Sequence, residues 1–423
     1  MTPKEGDGVR QNAWGFAAKF VAMLLTTAWS LMVTACMLAA PPAHAEKKYG
    51  PGVTDTEIKI GQTMPYSGPA SGYATIGKAE AAYFEMINVN GGVNGRKIRL
   101  ISQDDGFSPP KAVDDTRRMV EQDGVLLIFN SLGTPSNLAI RKYLNDRKVP
   151  HLFVAAASVR FGDPENFPWT MGYQATGSTE ARIYAKYILQ NYPKARIGVL
   201  YQNDDAGRDF LTALKGALGD KALKMIVAEE SYEIGTPTVD SQIVALKGSG
   251  ADIFVNISLP KAAAQAIRKA HDIGWKPLHF LNSISASVQT VLTPAGLEKS
   301  VGLITAIYLR DPSDPQWAND PGVKEYYAWM RKYYPGGDPD DGLNAYAYSV
   351  AQTLVRVLKD CGDDLTRENV MRQAASIKDL QLPMIYPGIK INTSPTDYFP
   401  IQQMQLQRFD GTHWVPFSEI LGD

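Results

Sequence analysis

The strongest constraint on this chain is a regular alternation of short apolar runs with stretches of helical spacing. "EIKIGQTM" (Glu57–Met64) reads as a strand. Apolar residues at Ile76, Ala79, Tyr83, Met86 and Ile87 then recur with the period of one helix face. "GGVNG" (Gly91–Gly95) stops that helix, and "KIRLIS" (Lys97–Ser102) is the next strand. Helix Pro110–Gln122, strand Val125–Phe129, helix Leu138–Asn145 and strand His151–Ala155 follow. Helices between successive strands require crossovers rather than hairpins, so the sheet is parallel and doubly wound.

After the irregular stretch Arg160–Gly177 the alternation resumes. Helices Glu180–Gln190, Asp209–Leu218, Val239–Lys247 and Ala262–Ile273 lead in turn to strands Arg196–Gln202, Lys224–Ala228, Asp252–Ile257 and Pro277–Leu281. A strand at Gly302–Tyr308, helical segments near Val323–Lys332, Leu343–Leu358 and Arg367–Ala375, and a hairpin turning at Asp410-Gly411 complete the chain. The fold class is therefore α/β, with two doubly wound parallel-sheet units. Ligands of such sheets bind beyond the carboxyl ends of the strands. Those ends carry small and polar loops here, among them "PYSGPASG", "QDDGFSPP", "NSLGTPSN", "AAASVRFG", "QNDDAG" and "LNSISAS".

Of these loops, "NSLGTPSN" (Asn130–Asn137) stands where a strand gives way to a helix. Read plainly it is a cap, with Thr134 or Ser136 capping and Pro135 near the first helical position. Read functionally, small residues there let an anion reach the unpaired N–H groups and positive dipole end of the helix.

The first residues read as an export leader rather than part of the fold. Lys4, Arg10 and Lys19 precede the apolar run Val21–Ala40, and Ala43-His44-Ala45 is a cleavage pattern, which makes residues 1–45 a signal peptide and the location periplasmic. Val33-Thr34-Ala35-Cys36 resembles a lipobox, so lipid anchoring at Cys36 is the secondary expectation. With Cys36 in the leader, Cys361 has no partner for an internal disulfide. The formal net charge is −1, which gives no electrostatic footprint for nucleic acid.

The stretch Ile58–Val113, with Ser67-Gly68-Pro69, Gly91-Gly92-Val93-Asn94-Gly95, Asp104-Asp105 and Pro110, resembles the start of the substrate-binding proteins of branched-chain amino acid ABC importers. This is the leucine-binding-protein family of type I periplasmic binding proteins, and the likeness continues to the C-terminus. It implies two lobes joined by a three-strand hinge, residues 50–173 with 309–383 and residues 174–308 with 384–423. The hinge would lie at Gly172-Tyr173-Gln174, Tyr308–Arg310 and near Leu382–Pro387. It implies a monomer that closes over a ligand and delivers it to an ABC permease, with no cofactor or metal. It also implies that Ser131, Gly133, Thr134, Ala156 and Ser158 hold the ligand carboxylate. Tyr66, Tyr73 and Phe107 are expected near the ligand body, and Asn282 and Ser283 in the facing loop.

Departures from the family pattern bear on the ligand. Its amino-acid binders clamp the ammonium with an acid in the loop that here reads "NSISAS", which has none. A tyrosine common after the strand Arg196–Gln202 is replaced by Ala206, and the family's early disulfide is absent. A buried ammonium without a counter-charge is costly. The expected ligand is then a carboxylate with an apolar or aromatic body and no α-amino group, unless Asp204 or Asp205 supplies the acid.

Other chemistries have weaker support. Gly72–Ala79 approaches a phosphate-binding loop but ends in Ala79 where a hydroxyl is required, and no G-x-S-x-G elbow marks a serine hydrolase. His151, His271, His279 and His413 lack metal-ligand spacing. Two alternatives remain beside an importer component: a sensor that signals to a membrane receptor, and a secreted α/β hydrolase.

Overall fold

The computed structural model describes Met1 and residues 47–422; the leader, its cleavage pattern and Cys36 lie outside the described residues. From Lys48 onward the chain forms one contact unit built on two large sheets.

The first sheet contains β1 (Glu57–Met64), β2 (Lys97–Asp104), β3 (Leu127–Phe129), β4 (His151–Val154) and β5 (Thr170–Gly172), all parallel, in the order β2-β1-β3-β4-β5. Between the strands run α1 (Ala74–Val89), α2 (Pro109–Glu121) and α3 (Thr134–Asp146). Strand β3 is buried throughout, as a strand covered on both faces must be.

The chain then crosses to the second half. Helix α4 (Gly177–Asn191), β6 (Ile197–Gln202), α5 (Asp205–Leu218), β7 (Ile226–Tyr232), α6 (Asp240–Gly248), β8 (Ile253–Ile257), α7 (Pro260–Asp272), β9 (Leu278–Leu281) and β10 (Ile304–Ile307) succeed one another. It crosses back for α8 (Pro321–Tyr333), α9 (Gly342–Asp360) and α10 (Arg367–Ala374), and α9 packs on α1. It crosses once more to end in β11 (Gln403–Phe409) and β12 (Trp414–Gly422). The second sheet has the order β12-β11-β10-β9-β8-β6-β7. Its last two strands are antiparallel and turn through Asp410 and Gly411 (φ 112°).

Two of the crossings run side by side. Leu309 bridges Ile385, Arg310 N donates to Met384 O at 2.9 Å, and Tyr386 N donates to Tyr308 O at 2.9 Å. The parallel sheets, doubly wound with a short antiparallel end, are the expected fold class.

Local differences from the sequence reading have simple causes. Helix α3 starts at Thr134, earlier than the apolar period suggests, because Gly133 is its N-cap at φ 98° and no side chain caps it. Thr134 and Ser136 are therefore inside the helix instead of capping it. The glycine is required there: a Cβ at Gly133 would lie 2.6 Å from the Phe107 ring. Strand β7 runs to Tyr232, and the residues just before it, Ala222–Met225, form a short helix. The near phosphate-binding loop is no loop at all. Its second half is the start of α1, where Gly77 packs so closely on Tyr66 that a Cβ would sit 2.3 Å from the phenol oxygen.

Candidate functional site

A cavity of about 210 Å³ opens where the carboxyl ends of both sheets face one another. Its first wall is the β3–α3 junction with the start of the loop after β4, and it includes Gly133, Thr134, Ala155, Ala156 and Ala157. The junction is tied down from inside. Ser131 Oγ accepts from Thr63 N at 3.0 Å, Ala155 N donates to Ser131 O at 3.0 Å, and Gly133 N donates to Ala155 O at 3.1 Å. Gly133 N is spent and Pro135 carries no N–H, so the first turn of α3 leaves the Thr134 and Ser136 N–H groups without a helix partner, beside the Thr134 hydroxyl. This wall therefore presents donors to the cavity.

The opposite wall presents acceptors. Glu180, in the first turn of α4, lines the cavity and is only 4% exposed. Its Oε1 accepts from Ser283 N at 2.7 Å and from Tyr184 OH at 2.6 Å, and its Oε2 accepts from Ser283 Oγ at 3.0 Å. The single Tyr184 O–H is shared between Glu180 Oε1 and Leu281 O, 2.8 Å away, and its oxygen accepts from Ala306 N at 3.1 Å, so the carboxyl is tied to both β9 and β10. Burial pushes the Glu180 carboxyl up to about 7, partly opposed by these hydrogen bonds. Asn282 lines the same wall, and its buried Oδ1 has no hydrogen-bond partner. Asp204 lines it too; burial raises its carboxyl, and Oδ1 accepts from Gly207 N at 3.0 Å as the cap of α5. Between the walls the lining is mostly apolar, with Ile76, Phe107, Leu132, Phe210, Ile257 and Ile284.

Of the residues expected from sequence, Gly133, Thr134, Ala156, Tyr73, Phe107, Asn282 and Ser283 share this cavity. Ser131, Ser158, Tyr66 and Asp205 are absent from its wall. Ser131 is spent on the Thr63 bond. Tyr66 OH pairs with Ser102 Oγ at 2.7 Å behind α1. Ser158 and Asp205 instead join the two halves beside the cavity. Ser158 Oγ donates to Asp209 Oδ2 at 2.5 Å, and Arg160 reaches Asp205 at 3.2 Å and Asp209 at 3.7 Å. The sequence reading missed Glu180, because an acid in a helix's first turn reads as ordinary compensation of the dipole. Its contact with Ser283 brings an acid to the "NSISAS" loop, whose own residues include none.

No group of His, Cys, Asp and Glu side chains among the described residues is arranged to hold a metal ion. His151 and His279 are buried inside the two halves, and desolvation lowers both to about 3, so they are neutral.

A family model described as "Periplasmic binding protein" matches residues 57–413. The chain belongs to the periplasmic binding protein family. A relative of this binding protein, "Leu/Ile/Val-binding protein homolog 7" from Brucella abortus, is 26% identical over 375 residues, covering 83% of this chain and 86% of its own. Among solved structures, a Thermus thermophilus branched chain amino acid ABC transporter protein with bound valine superimposes with a TM-score of 0.79 at 16% identity. It covers 88% of this chain and 98% of its own. A fatty acid ABC transporter substrate-binding protein from Thermomonospora curvata gives 0.73 at 22% identity, covering 89% of this chain and 95% of its own. These structures share the type I periplasmic binding protein fold. The family is one of solute-binding proteins, not enzymes.

Proposed function

We propose that this protein is the periplasmic substrate-binding component of an ABC importer and that its ligand is a small apolar α-amino acid. The observation that carries this reading is the polarity of the cavity: donors on the α3 side, a buried carboxyl on the α4 side, and apolar side chains between. A ligand carboxylate fits the first turn of α3 beside Thr134 and Ala156, where helix-end interactions contribute about 0.3–2 kcal/mol. Its ammonium fits Glu180. The expectation of a ligand without an amine rested on the lack of an acid at this wall, and Glu180 removes that premise. Size supports a small ligand, since a cavity of about 150 Å³ takes one benzene ring.

In this reading the halves close as lobes, residues 50–173 with 309–383 against residues 174–308 with 384–423, about the three crossings. The ligand stabilises the closed form by binding it more tightly than the open one. Calorimetry on the mature protein with leucine, phenylalanine and their des-amino counterparts, 4-methylpentanoate and 3-phenylpropanoate, tests the ligand class. Tighter binding of an amino acid than of its counterpart supports it, and binding of none of the four overturns it. Deleting the protein should abolish uptake of the bound amino acid. A change confined to gene induction would favour a sensor.

A further inference from the structure

Behind the β3–α3 junction lies a buried hydrogen-bond relay. Asn137 sits in the first turns of α3 and is fully buried. Its Nδ2 donates to Ser131 O at 2.8 Å and to Gly133 O at 2.8 Å. Those two bonds fix the amide's orientation, so Oδ1 must accept, and it lies 2.8 Å from His151 Nε2. The ring proton is thereby assigned to Nε2. His151 Nδ1 is left buried without a partner, a tautomer that persists because the ring does not charge.

The consequence is electrostatic as well as geometric. Ser131 O and Gly133 O belong to the loop that carries the cradle, and carbonyl oxygens facing an anion would repel it. Ser131 O already accepts from Ala155 N and Gly133 O from Asn137 N; the Asn137 amide adds a second donor to each and so holds both carbonyls turned to the interior. It also clamps Gly133 in the φ 98° conformation that sets where α3 begins.

We propose that Asn137, held by His151, is a positioning residue for ligand capture: it fixes the β3–α3 junction so that donors, not carbonyls, face the ligand carboxylate. This rests on the amino-acid reading above. Neither side chain lines the cavity, so both act through the junction.

The test uses calorimetry with leucine on the mature protein. His151→Gln keeps an amide N–H donor for Asn137, whereas His151→Leu removes it. The expected result is leucine affinity within about twofold of wild type for His151→Gln and up to about tenfold weaker for His151→Leu, the upper scale of one lost neutral hydrogen bond. A double-mutant cycle between Asn137→Ala and Thr134→Val then reads whether the two act together. If Asn137 works through the cradle, the double variant weakens binding clearly less than the product of the single effects. Equal behaviour of the two His151 variants, or strictly multiplicative losses in the cycle, overturns the proposal while leaving the amino-acid reading standing. If wild-type protein fails to bind leucine while binding phenylalanine, the same variants are read with phenylalanine. If it binds neither, the amino-acid reading falls, and this proposal with it.

Discussion

Glu180 makes the most searching prediction, because burying its carboxyl costs stability at a known pH. The carboxyl is raised from 4.5 to about 7 by desolvation. At about 1.36 kcal/mol per pKa unit, that is roughly 3 kcal/mol. Below pH 4.5 both folded and unfolded chains hold the proton, and the full stability is present. As pH rises the unfolded chain loses its proton first, so stability falls and the loss is complete once pH passes about 7. Asp311 and Asp341, each raised to about 6 by burial, change stability in the same direction. The measurement is therefore the difference between wild type and Glu180→Gln, in which the aspartates cancel. Urea unfolding of the ligand-free mature proteins at pH 5 and pH 8 should show the variant gaining about 2.5 kcal/mol on wild type between the two conditions, since part of the loss is already present at pH 5. An unchanged difference would show that Glu180 is ionised without penalty and refute the argument. A bound ammonium should pull the carboxyl down. Binding near pH 6.5 should then release more than half a proton, read from the buffer dependence of the binding enthalpy.

Other predictions are more local. Gly133→Ala forces a positive-φ residue against Phe107 and should abolish leucine binding and lower the melting temperature, as read by thermal shift with and without ligand. Arg160→Ala removes ion pairs to Asp205 and Asp209 that join the two halves. Those pairs are partly exposed, so ligand affinity should fall by only about two- to fivefold, and the wild-type advantage should shrink in 0.5 M salt. Gly207→Ala would place a Cβ 2.0 Å from Gln202 O at the start of α5, and it should destabilise the fold by about 1–3 kcal/mol in urea unfolding.

The alternation of apolar runs and helical spacing gave away two parallel, doubly wound sheets, because parallel strands need helical crossovers and buried strands read as continuous apolar runs; the order of strands within each sheet did not follow from it. "DIFVNI" and "HLFVA" became β8 and β4 almost unchanged. The β3–α3 junction stood out as well, but the sequence left it open between a plain cap and an anion site, and Thr134 and Ser136 lie inside the helix instead of capping it. What stayed hidden depends on tertiary contacts. Ser158 follows its strand as a ligand hydroxyl would, yet it donates across to Asp209 on α5. Asp205 looked like a substitute acid, but it sits by Arg160 and Arg208, while Asp204 faces the cavity. Glu180 carries no local signal: only the folding of β9 and β10 around Tyr184 and Ser283 turns a first-turn glutamate into a buried wall. Asn137, two residues beyond Pro135, reads as an ordinary polar residue until His151 arrives behind it.

The most direct test is a crystal structure of the mature protein with leucine or phenylalanine bound. The account predicts the ligand between the two sheets, its carboxylate against the first turn of α3 at Thr134 and its ammonium within hydrogen-bond reach of Glu180. A ligand bound elsewhere, or one turned so that its carboxylate meets Glu180, would contradict it.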